Sequence, residues 1–138
     1  MTIPTIRHER MSDIFQKYHI EGLPFSAVIH RFSEPDTGDP HDHPFDFTTH
    51  ILSGGYVEKI YFPASDGTWY YNYAHRLPGT CHKVKATHIH QVVELIDGEC
   101  FTLILPEPNI RKSGVWQFNE TGYMFREWDQ PEFKPVML

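Results

Sequence analysis

From Phe25 onward the chain alternates short apolar runs with clusters of turn-forming residues. Runs at 25–32, 45–52, 56–62, 68–73, 80–84, 89–96, 100–105 and 115–118 are rich in β-branched and aromatic residues and four to eight residues long, the composition and length of strands. Between them stand Pro35-Asp36-Thr37-Gly38, Ser53-Gly54-Gly55, Ser65-Asp66-Gly67, Leu77-Pro78-Gly79, Asp97-Gly98 and Pro106-Glu107-Pro108, each with Gly or Pro where a chain reverses. One segment reads differently: Ser12 stands as an N-cap before Asp13-Ile14-Phe15-Gln16-Lys17-Tyr18, with Ile14, Phe15 and Tyr18 on one side and Gly22 as a stop, which predicts a short N-terminal helix. The pattern predicts an all-β sandwich or barrel of about eight strands preceded by that helix.

Nothing divides the chain further. It has 138 residues, within the usual range of one domain, with no solenoid repeat, low-complexity linker or shift in composition. A single domain over 1–138 is expected, with a helical segment at 1–23, the barrel at 24–128 and a tail at 129–138. A net charge of −6, with no basic run longer than Arg111-Lys112, argues against a nucleic-acid partner. Residues 1–10 carry charges and a proline where a secretory signal would be continuously apolar, and no window approaches the roughly 18 apolar residues of a membrane helix. A cytoplasmic protein without membrane contact is expected, with Cys81 and Cys100 as free thiols. The composition departs from the ordinary in histidine: ten are present beside three Trp, seven Tyr and ten Phe, as in a lined pocket.

The histidines concentrate. In Asp39-Pro40-His41-Asp42-His43-Pro44-Phe45-Asp46-Phe47, two stand two apart at the mouth of a predicted strand, so period two turns both imidazoles to one face. Two such imidazoles make half of a transition-metal site, and the third ligand must come from a neighbouring strand. Candidates are His82, His88 and His90, all at even positions in the segment 80–90.

These residues resemble the two motifs of the cupin superfamily, G(X)5HXH(X)3,4E(X)6G and G(X)5PXG(X)2H(X)3N. His41-Asp42-His43 takes the place of HXH, Phe47 falls where the family has Glu, and Gly54 closes the first motif. In the second, Gly79 opens, Lys85 and Thr87 replace Pro and Gly, and His90 takes the place of the histidine. The stretches 41–47, 51–56, 90–95 and 101–105 look more narrowly like small single-domain bacterial and phage cupin-like proteins of unassigned function. The resemblance implies a small cupin β-barrel (a double-stranded β-helix or jelly roll) holding one divalent transition metal through His41, His43 and His90. Because Phe47 cannot bind metal, it also implies a three-histidine site, for which the family precedent is Fe(II) dioxygenases; Zn, Mn or Ni remain open. Small cupins commonly pair, and a homodimer is compatible with the exposed aromatic residues at 69–73.

Two further side chains are candidates to complete the metal shell. Asp46 stands on the wrong parity for a straight strand unless Pro44 brings a bulge, and otherwise caps a backbone turn or orients a ligand imidazole. His82 is the other. Glu58, His50 and Tyr56 are candidate catalytic groups: the imidazole titrates near neutral pH, and Tyr56 and Glu58 stand two apart on one strand face. His30 and Arg31 fall on opposite faces, so one of them looks inward. The expected function is a metal-dependent oxidoreductase of the dioxygenase type acting on a small molecule. The alternatives are a redox-neutral metalloenzyme (isomerase, lyase or hydrolase) and a non-catalytic metal- or small-ligand-binding module.

Overall fold

The structure, a computed structural model, describes residues 3–36 and 38–136, and among these every regular element is a β-strand. The strands are β1 (Thr5–Arg10), β2 (Phe15–Glu21), β3 (Ala27–Phe32), β4 (Phe47–Ser53), β5 (Tyr56–Pro63), β6 (Trp69–Arg76), β7 (Cys81–Val84), β8 (Ile89–Leu95), β9 (Cys100–Pro106), β10 (Gly114–Asn119), β11 (Gly122–Glu127) and β12 (Lys134–Pro135). All pairings are antiparallel, in three ladders ordered β1-β2-β3-β9-β4-β7, β6-β5-β8 and β10-β11-β12. His41 joins the two smaller ladders, bridging His90 of β8 on one side and Val115 of β10 on the other. Among the described residues the strands form open sheets, and the ladders do not close into a barrel.

The N-terminal helix is not formed. Phe15–Glu21 is instead strand β2, laddered on one side to β1 (Lys17 opposite Glu9) and on the other to β3 (Lys17 opposite His30). Helix nucleation is unfavourable for so short a segment, whereas two ladders satisfy its backbone on both edges. Phe15 then stacks on Phe32 with ring centres 4.6 Å apart. Ser12 still supports a turn, its Oγ accepting from the Ile14 amide at 3.2 Å.

The large sheet turns one face toward β5 and β8. Period two carries Phe47, Thr49 and Ile51 inward from β4, and these are buried while Thr48 and His50 are less so. Ile51 and Cys100 of this sheet pack with Tyr56 of β5 and Val92 of β8, and Phe47, Val84 and Ile104 form a second cluster with Phe45 against it. Both cysteines are free, Cys81 exposed and Cys100 buried.

The turn between β4 and β5 has a strict requirement. Gly54 lies at φ +80°, and a Cβ there would stand 1.8 Å from the Glu99 carbonyl oxygen. Substitution Gly54→Ala is expected to destabilise the protein by about 2 kcal/mol or more, combining left-handed strain with a backbone clash. Urea unfolding measures it, and a loss under about 0.5 kcal/mol would contradict this packing.

Candidate metal centre

His41 and His90 exchange both backbone hydrogen bonds, His41 N to His90 O and His90 N to His41 O, each at 3.1 Å. Residues opposed in this way share a face, so their rings lie side by side, with centres 4.8 Å apart. His43, two residues on, returns to that face with its ring 5.4 Å from His41 and 4.9 Å from His90. One nitrogen from each of His41, His43 and His90 lies within 4.8 Å of the other two.

The residue between the two histidines fixes their backbone. Asp42 turns the opposite way and is buried, its Oδ1 accepting from Gly114 N at 2.7 Å and its Oδ2 from Trp116 Nε1 at 3.1 Å. Arg111 Nη1 stands 3.1 Å from Asp42 Oδ1 and donates to the carbonyls of His43 and Ala86 at 3.1 and 3.3 Å. The segment carrying the histidines is therefore tied to β10 and to the turn before β8.

The electrostatics favour neutral imidazoles. Burial, then the neighbouring His90, pushes His41 down to about 4, although Asp36 pulls the other way. Burial and the imidazoles of His90, His41 and His88 push His43 down to about 2. A neutral imidazole offers the lone pair that a metal ion binds. His43 Nδ1 is also buried without a hydrogen-bond partner. Three converging imidazole nitrogens, with His41 and His43 held neutral by burial and an orphaned nitrogen on His43, fit a divalent transition-metal ion.

Glu58 stands directly behind His90. Its side chain is 1% exposed, and its Oε1 accepts from His88 Nε2 at 2.6 Å and His90 Nδ1 at 3.1 Å. Its Oε2 accepts from Arg76 Nε at 2.8 Å, with His82 Nε2 at 3.9 Å. Burial alone would raise the carboxyl's pKa, but the bonds from His88, His90 and Arg76 outweigh it and hold Glu58 well below the usual carboxylate range. An ionised Glu58 keeps the proton of His90 on Nδ1, leaving Nε2 as the lone pair for a cation.

The other expected site residues disperse. Asp46 does not join the three histidines: its Oδ1 accepts from Ala86 N at 2.7 Å, capping the turn before β8. His82 faces inward but stands by Glu58, with a buried Nε2 that has no hydrogen-bond partner. His50 falls on the opposite parity from the inward residues Phe47, Thr49 and Ile51 and is not brought to the site. Tyr56 lines the cavity two residues from Glu58, and burial together with the Glu58 charge pushes its phenol up, so the hydroxyl keeps its proton. Phe47, in the place of a ligand carboxylate, sets its ring 5.0 Å from that of His43 as an apolar wall. Of the pair His30 and Arg31, His30 looks inward and Arg31 pairs with Glu99 on the other face.

Three residues of the centre have no reading in the sequence, Arg76 beside Glu58 and Asp42 and Arg111 behind the histidine segment, whereas His88, a candidate third ligand by spacing, lies against Glu58. His88 shares the parity of His90, which is a signal in the sequence. The partners of Asp42 lie about 70 residues away, and no local pattern points to them.

The three histidines border a cavity of about 610 Å³ between the large sheet and β5–β8, with the β1–β2 hairpin along one side. Its walls are mostly apolar, including Phe32, Phe45, Phe47, Val84, Val92 and Ile104. The volume falls in the range of small-molecule sites.

No family model and no curated protein matches the chain. Solved structures do. Hydroxypropylphosphonic acid epoxidase from S. wedmorenis is 9% identical, with a TM-score of 0.56 over 74% of this chain and 55% of that one. HppE in its Fe(II) form gives 0.55 at 9% identity over 74% and 56%. The DMSP lyase DddQ from Ruegeria pomeroyi DSS-3 gives 0.52 at 17% identity over 71% and 49%. The chain spans about half the length of these enzymes. The 7S globulin of Momordica charantia, at 0.56 and 11% identity over 80% and 35%, is equally similar in shape. What these proteins share with this chain is its architecture, and the chain has the fold of the cupin superfamily.

Proposed function

We propose that the protein is a metal-dependent enzyme acting on a small molecule, with His41, His43 and His90 holding one divalent ion, Fe(II) by preference, for a dioxygenase-type oxidation. The observation that carries this reading is the convergence of three imidazoles on the wall of an apolar, ligand-sized cavity. With no carboxylate among the three ligands, the charge of a bound ion stays uncompensated, which favours an anionic or enolisable chelating substrate. The ion would supply Lewis acidity and, as iron, redox chemistry with oxygen. The chain's own part is to fix the His90 tautomer through Glu58, to hold the histidine segment through Asp42, and to keep water from the apolar side through Phe47 and Phe45. The Fe(II) form of HppE on this fold supports iron. A redox-neutral reaction is the second reading, favoured by the Tyr56 phenol, a protonated donor inside the cavity, and by a lyase among the structural neighbours.

The test is metal analysis of protein purified without a histidine tag, followed by anaerobic Fe(II) loading and oxygen-uptake measurement with a panel of small chelating acids. About one metal per chain, lost in His41→Ala and His90→Ala, together with substrate-dependent oxygen uptake, is the expected result. Full metal content in both variants would overturn the site. Tight zinc, with turnover of an acid but no oxygen uptake, would favour the redox-neutral reaction over the oxidation.

A further inference from the structure

The metal group accounts for only one region of the cavity; the β2–β3 side carries a charge of its own. Lys17 of β2 stands opposite His30 of β3, His30 opposite Thr102 of β9, and Thr102 opposite Ile51 of β4. Directly opposed residues share a face, so this row runs across the sheet on its inner side, and Lys17, His30 and Thr102 all line the cavity. The metal group lies against a different row, since His43 packs on Phe47. Phe47 and Ile51 are four residue steps apart along β4, about 13 Å at the usual rise of a strand.

Lys17 is poorly compensated where it stands. Among the described residues it makes no ion pair. Glu9 lies directly across on β1 within reach of the Lys17 charge, but the bond its Oε1 accepts is from His19 Nε2 at 2.8 Å. The Lys17 ammonium lies 5.7 Å from the centre of the Phe15 ring, and His30 beside it is wedged against Phe15 and Phe32 with ring centres 4.9 and 6.1 Å away. Burial and the charge of Lys17 push His30 down to about 3, so it is a neutral hydrogen-bonding group. In the adjoining row, Thr49 Oγ1 is buried on the cavity wall with no hydrogen-bond partner. A half-buried lysine on the wall of an apolar cavity, flanked by neutral polar groups, is the arrangement that an organic anion completes.

We propose that Lys17, seconded by His30 and Thr102, forms a carboxylate-binding subsite remote from the metal group, and that the cavity takes small organic acids with an apolar body. One end of the acid lies at Lys17 and the other reaches toward His41, His43 and His90. Only that far end rests on the metal reading. Lys17 is a binding residue that orients the acid, and the apolar walls take up its middle.

The test uses the full chain in metal-free and Co(II)-loaded forms, with titration calorimetry of wild type, Lys17→Met and Lys17→Arg. The probes are octanoate, 1-octanol and the dicarboxylates succinate, adipate, suberate and sebacate. In metal-free protein octanoate is expected to bind about tenfold more tightly than 1-octanol, an advantage abolished by Lys17→Met and retained by Lys17→Arg. In the Co(II) form one of the longer dicarboxylates should perturb the visible cobalt spectrum, and Lys17→Met should weaken it about tenfold with the Co(II) affinity unchanged. Equal binding of octanoate and 1-octanol, no binding of either, or indifference to Lys17→Met would overturn the subsite. Failure to bind Co(II) with the Lys17 dependence of octanoate intact would remove the metal reading and leave the subsite standing.

Discussion

Replacing Glu58 by alanine is expected to destabilise the metal-free protein by about 3 kcal/mol or more, the cost of leaving a buried cation without its partner. The carboxylate is 1% exposed and Arg76, its cationic partner, 24% exposed, so water cannot replace the lost interaction well. His88 and His90 lose an acceptor at the same time, at 2.6 and 3.1 Å. For a chain of this size such a loss lowers the melting temperature by roughly 10 °C. Glu58→Gln keeps the volume and one acceptor but removes the charge, and should cost less in stability. It also frees the His90 tautomer, so metal affinity should fall by about 10- to 100-fold, as for other partners of ligand imidazoles. Denaturant unfolding and competitive metal titration measure the two effects. A stability loss under 1 kcal/mol for the alanine variant would show that Arg76 and the histidines are satisfied without Glu58.

That carboxylate illustrates what the sequence conveys and what it leaves to the fold. The parity of Tyr56 and Glu58 is local and readable. Their common environment is not, because a register shift between Val57 and Glu58 sets Glu58 opposite Val92, and because Arg76 comes from β6, His90 from β8 and His88 from the turn before β8. Such a shift re-aims a side chain without any signature in the residues beside it. The facing of His41 and His43 was legible in their spacing, whereas spacing left His82, His88 and His90 open and the choice of His90 rested on the resemblance to the cupin motifs. Gly54, which closes the first motif, answers to a close approach of the Glu99 backbone. His50 shows the opposite case: its imidazole is suited to catalysis, but the inward parity of Phe47, Thr49 and Ile51 excludes it.

The N-terminal segment forms strand β2 and not the expected helix for a thermodynamic reason. Ile14, Phe15 and Tyr18 satisfy a helical stripe as well as residues 15, 17 and 19 satisfy a strand face, and so short a window does not choose between them. The choice is made by β3, whose edge is available and whose Phe32 receives Phe15. This outcome matters for the cavity, because the strand, unlike the expected helix, delivers Lys17 and His19 to its wall.

Substitution of His43 by leucine should separate metal binding from folding. As one of the three proposed ligands, His43 would bind the ion directly, so affinity for Co(II) or Zn(II) is expected to fall more than 100-fold, beyond the effect of a supporting residue such as Glu58. The metal-free protein should respond in the opposite sense. His43 Nδ1 is buried with no partner, a state that costs about 1–3 kcal/mol, and its ring already packs on Phe47. A leucine of similar size keeps that apolar contact and removes the orphaned nitrogen, so the metal-free variant should be at least as stable as wild type, by up to about 1 kcal/mol. Thermal unfolding in chelator, paired with metal titration, reads both. If affinity falls less than tenfold, the three histidines do not form the site. If instead the metal-free variant is destabilised by more than 1 kcal/mol, His43 is a packing residue whose convergence with His41 and His90 serves the fold. The expected pattern, metal lost and fold kept, is that of a side chain retained at a cost to stability for the ion it holds.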